Sequence, residues 1–198
     1  MQKRHLLLPC LLLISALALV ACGGSSGGSG DESQIEEAIE TSATSTKPSA
    51  CKEFSTQQFM EQSTSTEGAA AVKQCEENAK DEEEAEKAEV SEVEVEGSEA
   101  TADVMLTGGS LNGQGVEIAL VKEGSDWKLN ELVGFTELDA GALAESIGEG
   151  LTEQGGGVAK IAPCIEEKFE VAEQSEIEEL VISGSRTPVE ELAEECAG

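Results

Sequence analysis

Residues 90–106 read Val90-Ser-Glu-Val-Glu-Val-Glu-Gly-Ser-Glu-Ala-Thr-Ala-Asp-Val-Met-Leu106. Apolar side chains recur at close to every second position on both sides of a turn at Glu96–Glu99, which is the pattern of two β-strands with one buried face. Residues 116–120 and 127–132 repeat this pattern around a second turn at Glu123–Asp126. Because both connections are short, the four strands are predicted to form an antiparallel meander.

Helix signals lie on both sides of this predicted sheet. Before it, capping-box patterns at Ser33–Glu36 and Ser55–Gln58 predict helix starts, and residues 68–80 read as a third helix. After it, helical spacing of apolar residues predicts helices over 138–151 and 158–170, with shorter helices starting near 175 and 187. The predicted fold class is therefore α+β, with helices and a sheet in residues 33–135 and a helical region in residues 136–198.

The N-terminus carries an export signal. Lys3 and Arg4 precede a 15-residue apolar run, Leu6–Val20, which is shorter than the roughly 20 residues that cross a bilayer. Two other interpretations of this N-terminal segment are an uncleaved membrane helix and an ordinary secretory signal. The run ends in Leu19-Val-Ala-Cys22, which resembles the lipobox of bacterial lipoproteins.

That resemblance implies a signal peptide over residues 1–21 and acylation of Cys22, with palmitate as the usual label. Residues 22–32, rich in Gly and Ser, are predicted to be a flexible tether. The expected location is the extracytoplasmic face of the cell membrane, where two or more acyl chains give stable anchoring.

The chain is strongly acidic, with 41 Asp and Glu against 12 Lys and Arg and a net charge of −29. Loss of residues 1–21 removes two basic residues and no acid, so the charge becomes −31. Such a surface repels nucleic acid, and a nucleic-acid partner is excluded. No cofactor or metal is expected, because His5 is the only histidine and there is no Cys-x-x-Cys motif.

Four cysteines remain once Cys10 leaves with the signal and Cys22 takes lipid. An even number in an exported chain indicates two disulfides, and three pairings are open. The favoured pairing brackets one local helical unit with each bond and joins Cys51 to Cys75 and Cys164 to Cys196.

Residues 31–135 resemble the NTF2-like superfamily, and in particular exported actinobacterial lipoproteins with such a domain. The resemblance rests on Ala50-Cys51, Phe54-Ser55, Phe59, Cys75, Val93–Gly97, Ala100–Ala102, Val121–Gly124 and Trp127-Lys-Leu129. It implies a cone, in which N-terminal helices cover a curved antiparallel sheet and enclose a pocket. Some members are isomerases or dehydratases and many are not catalytic. The C-terminal helices are similar to appendices on such lipoproteins.

The candidate pocket residues are Phe54, Phe59 and Trp127, with core packing as the alternative for each. Asp103 is expected to face solvent. No catalytic residue is assigned, because the chain after residue 21 contains neither Tyr nor His. The predicted function is a non-enzymatic envelope lipoprotein that binds a protein partner or a small apolar ligand. The alternatives are a carboxylate-dependent isomerase or dehydratase, and an acidic spacer with weak cation binding.

Overall fold

A computed structural model describes residues 29–80 and 85–197. The helices before the sheet are α1 (Ser29–Thr44), α2 (Ala50–Phe54), α3 (Gln57–Thr64) and α4 (Ala69–Asn78). The strands are β1 (Lys87–Glu96), β2 (Glu99–Thr107), β3 (Gly115–Glu123) and β4 (Asp126–Glu137). The C-terminal helices are α5 (Ala140–Gln154), a 3₁₀ turn (Val158–Lys160), α6 (Ala162–Val171), α7 (Gln174–Val181) and α8 (Arg186–Ala197).

The predicted α+β class is confirmed. The four strands form an open antiparallel sheet in the order β1-β2-β3-β4. Among the described residues, none of the helices is long and apolar enough to cross a membrane. The predicted signal peptide and Cys22 lie outside the described residues.

A bulge in β1 keeps its apolar residues on one face. The register shifts between Ser91 and Glu94, and Glu92 takes the left-handed conformation with φ 48°. Strict alternation from Val90 would turn Val93 and Val95 outward, because side chains alternate faces along a strand. The extra residue instead places Val95 opposite Ala100, whose side chain is buried.

Strand β4 carries three further register shifts against β3. As a result, Leu129 pairs with Leu120. The next two inner-face residues of β4, Leu132 and Phe135, each lie three positions further along that strand. Each bulge bends the strand and increases its twist. The strand therefore curves and continues to Glu137, beyond Leu132, the last of its residues that the alternating pattern identifies.

Helix α1 lies across the concave face and contacts both edge strands, β1 and β4. Ile35 and Ile39 lie one turn apart and are fully buried against the sheet. The helix begins at Ser29, four residues before the capping box predicted at Ser33, so residues 29–32 belong to α1 and not to the tether. Asp31 and Glu32 in the first turn are favourable near the positive end of the helix dipole.

Helices α2 and α3 are fastened to the free edge of β4. The Thr56 N–H donates to the Leu129 carbonyl at 2.9 Å. The Gln62 side chain accepts from the Leu132 N–H and donates to the Leu132 carbonyl, both at 2.8 Å. Thr56 is also the N-cap of α3, because its hydroxyl accepts from the Phe59 N–H, whereas Ser55 was the predicted cap.

The C-terminal helices share one core with the sheet. Leu143 of α5, Phe169 of α6 and Ile177 of α7 belong to the same buried cluster as the inner face of the strands. Helix α7 begins at a capping box formed by Glu173 and Glu176, two residues before the predicted cap. Its side chains continue the edge contacts, since Gln174 donates to the Phe135 carbonyl and Glu178 accepts from the Phe135 N–H.

Two disulfides are present, with the pairing favoured from the sequence. Cys51–Cys75 joins α2 to α4, and Cys164–Cys196 joins α6 to α8. The loop-entropy model assigns each a stabilisation of about 3.5 kcal/mol.

Candidate functional site

A cavity of about 310 Å³ lies between the concave face of the sheet and helices α1–α4. Its sheet wall is formed by branched apolar side chains of β2, β3 and β4, namely Val104, Leu106, Val116, Ile118, Leu129 and Leu132. Its helix wall includes Ile39 and Ala43 of α1 and Phe59 of α3. The volume is at the small end of the range of ligand pockets, which is roughly 300–1,000 Å³.

The cavity wall is uncharged. No Asp, Glu, Lys, Arg or His is present among the described residues that line it. This composition contrasts with a chain in which 27% of residues are charged. An uncharged apolar wall favours the apolar part of a ligand and disfavours an ion, because burial of an unpaired charge is costly.

The polar groups of the wall are hydroxyls and one amide, from Ser42, Ser45, Ser55, Ser63, Thr64, Asn78 and Ser110. Ser55 is the buried member of this group, with 4% of its surface exposed. Its Oγ lies 3.3 Å from Ser42 Oγ, within hydrogen-bonding distance. By contrast, the Ser63 and Thr64 hydroxyls both donate to the Met60 carbonyl inside helix α3.

The position of Ser55 follows from the junction between α2 and α3. Ser55 forms an isolated parallel bridge with Leu129, so this one residue extends the sheet beyond β4. The Ser55 side chain thereby projects from the end of the sheet toward α1, where Ser42 lies. The Cys51–Cys75 disulfide supports the same wall, and both of its cysteines line the cavity.

Of the three predicted pocket residues, Phe59 lines the cavity. Phe54 and Trp127 do not line it: Trp127 belongs to the buried core, and Phe54 is partly buried against that core. The lining serines and the two cysteines carry no pattern that distinguishes them from surface or structural residues, and sequence reasoning did not select them as pocket residues.

Trp127 lies at the N-terminal end of α1. It is 2% exposed, and its Nε1 donates to Asp31 Oδ1 at 3.1 Å. Lys122 forms an ion pair with the same carboxylate and places its Nζ 5.3 Å from the Trp127 ring centroid. Hydrogen bonds from Lys122 and then Trp127 hold the pKa of Asp31 below its ordinary value. These contacts attach the start of α1 to the β3–β4 turn.

Asp103 is half-buried on the opposite face of the sheet from the cavity wall, next to the inward residues Ala102 and Val104. Within residues 29–80 and 85–197, no group of three or more His, Cys, Asp or Glu is placed to hold a metal ion. The cavity can therefore enclose an apolar molecule and offer it hydroxyl contacts.

No family model, curated protein or solved structure matches this chain.

Proposed function

We propose that this chain is a lipid-anchored binding protein of the bacterial cell envelope. Acylated Cys22 holds it at the extracytoplasmic face of the membrane, and residues 23–28 link the anchor to α1. The folded part is a non-enzymatic NTF2-like cone with a C-terminal helical appendix. Its binding site is the cavity between α1–α4 and the sheet.

The curvature of the sheet supports the cone as the fold family. Four bulges, one in β1 and three in β4, bend a four-stranded meander, and α1 lies against both of its edge strands. The helices α1–α4 stand before the sheet in the chain, as the NTF2-like resemblance implies.

The uncharged wall of the cavity supports binding without catalysis. A carboxylate-dependent isomerase needs an ionisable base at its substrate. The described lining residues supply hydroxyls and apolar surface in its place. These groups bind and orient a molecule but have no pKa near neutrality with which to move a proton.

A neutral fluorescent probe tests the binding site. The full chain with Cys22→Ser is handled without detergent, and N-phenyl-1-naphthylamine should gain fluorescence on binding to it. Ala43→Phe, which adds a ring to the cavity wall, should abolish most of that gain. Ala70→Phe is the matched control, because Ala70 is exposed on α4 and outside the cavity. Equal fluorescence of the two variants, or no binding by the parent chain, would reject the cavity as the binding site.

A separate experiment tests the anchor. Radiolabelled palmitate should enter the native chain and not the Cys22→Ser variant, and that variant should leave the membrane fraction. Equal labelling or equal membrane retention of the two proteins would contradict the anchor without affecting the probe experiment.

A further inference from the structure

We infer that the cavity selects an uncharged, mainly apolar ligand that carries one hydrogen-bond acceptor, such as a ketone, ester or ether oxygen. The Ser42–Ser55 hydroxyl pair recognises that oxygen. This inference rests on the proposed binding function and specifies the chemical class of its ligand.

The cavity disfavours ions. The described lining residues offer no opposite charge to either an anion or a cation, so a charged head group would be buried without a partner. An anion meets a second barrier, because the protein carries a net charge of −29 and repels it at the surface. Neutral molecules avoid both costs.

The Ser42–Ser55 pair keeps hydrogen-bonding capacity for a ligand. Each hydroxyl has one proton to donate and two lone pairs to accept with. The single contact between Ser42 and Ser55 uses one of the two protons. The other proton is free to donate, which suits a ligand oxygen that needs only to accept. Both serines line the cavity, so this proton lies on the cavity wall whichever of the two donates to the other.

The cavity volume limits the size of the ligand. With a volume of about 30 Å³ for each water molecule in the liquid, a cavity of about 310 Å³ holds roughly ten water-sized groups. A ten-carbon chain with one oxygen is a suitable probe. Four compounds of this length separate charge from hydrogen bonding: 2-decanone, decane, decanoate and decylammonium.

The experiment is displacement of N-phenyl-1-naphthylamine from the full Cys22→Ser chain at pH 8. We expect 2-decanone to bind about two- to tenfold more tightly than decane, which is the effect of one hydrogen bond. We expect decanoate and decylammonium to bind at least about tenfold more weakly than 2-decanone, because each must bury a charge. An ion that competes as well as 2-decanone would overturn the inference.

Serine variants then test the recognition element. Ser42→Ala with Ser55→Ala should reduce the preference for 2-decanone over decane to about onefold, with decane affinity retained. Ser63→Ala is the matched control, because its hydroxyl lines the cavity but already donates to the Met60 carbonyl. An unchanged preference in the double variant would refute the role of the pair. If the double variant does not fold, the four-compound series on the parent chain still decides the question.

The outcomes separate this inference from the proposed function. Probe binding that Ala43→Phe blocks, together with strong competition by decanoate, would leave the binding function intact and reject the ligand class. No probe binding by the parent chain would reject both.

Discussion

The Gln62 side chain joins three segments that are distant in the chain, and its replacement by Glu should be costly. The amide oxygen accepts from the Leu132 N–H, and the amide nitrogen donates to the carbonyls of Leu132 and Ile182, each at 2.8 Å. Gln62→Glu keeps the shape and the acceptor but removes the donor. The variant therefore loses two hydrogen bonds, worth about 0.5–1.5 kcal/mol each.

The new carboxylate would also face two carbonyl oxygens. Together with the lost bonds, this repulsion should lower the free energy of unfolding by about 2–4 kcal/mol at pH 7. For a urea dependence of about 2 kcal/mol/M, the unfolding midpoint should fall by about 1–2 M. Circular dichroism during urea titration measures this shift. The penalty should shrink near pH 4, because the introduced carboxyl group regains one donor when it is protonated.

Gln74→Glu is the control for the added charge. Gln74 is exposed on α4 and bonds Asn78 within its own helix. Its substitution should change the free energy of unfolding by no more than about 0.5 kcal/mol. A Gln62→Glu variant that matches this control would refute the idea that one amide holds α3, β4 and the end of α7 together.

Three further predictions concern stability. Cys164→Ser with Cys196→Ser should lower the free energy of unfolding by about 3.5 kcal/mol, measured by urea titration, whereas an unchanged midpoint would contradict the loop-entropy argument. Gly184→Ala should cost about 1–3 kcal/mol, since Gly184 has φ +69° and a Cβ there would lie 2.8 Å from Gln62 Cα; a melting temperature equal to that of the parent would disprove this strain. Asp31→Asn should destabilise the protein above about pH 4. Because its folded-state pKa is lowered, the stability from the Asp31 charge is present above the unfolded pKa and is lost as pH falls through the folded one. Thermal melts from pH 7 to pH 2 should therefore converge for the two proteins, and a constant gap would exclude the charge as the cause.

The meander and most helices could be predicted because their signals are local. The strand pattern in residues 90–106 and the turns at 96–99 and 123–126 all lie within short windows of the chain. The predicted helix starts differ from the observed ones by one to four residues. Ser55 illustrates the reason: it looks like a cap, but its bridge to Leu129 draws it into the sheet and leaves Thr56 to cap α3.

The course of β4 could not be predicted in the same way. Leu129, Leu132 and Phe135 are spaced by three, which is not the period of a strand, and only the bulges against β3 bring them to one face. Bulges arise from pairing with the neighbouring strand, so the sequence of β4 alone does not predict them.

The amide contacts of Gln62 and Gln114 were also beyond sequence reasoning. Gln114 is fully buried and bonds both the N–H and the carbonyl of Asp139, which sets the start of α5. A glutamine between polar residues, as at Gln62, or between glycines, as at Gln114, reads as a surface residue. The cavity serines were missed for the same reason, because their place on the cavity wall depends on the junction of α2 and α3 and not on their neighbours in the chain.

The side chains along the outer edge of β4 have a consequence for behaviour at high concentration. An open sheet exposes backbone groups at its two margins, where a second molecule can add a strand and begin to polymerise. On the β4 margin, Gln62, Gln174 and Glu178 occupy the peptide groups of Leu132 and Phe135. On the β1 margin, Glu92, Glu94 and Glu96 are exposed, and their charges repel an identical chain. Two different features, occupied peptide groups on one margin and like charges on the other, therefore keep neighbouring copies from pairing.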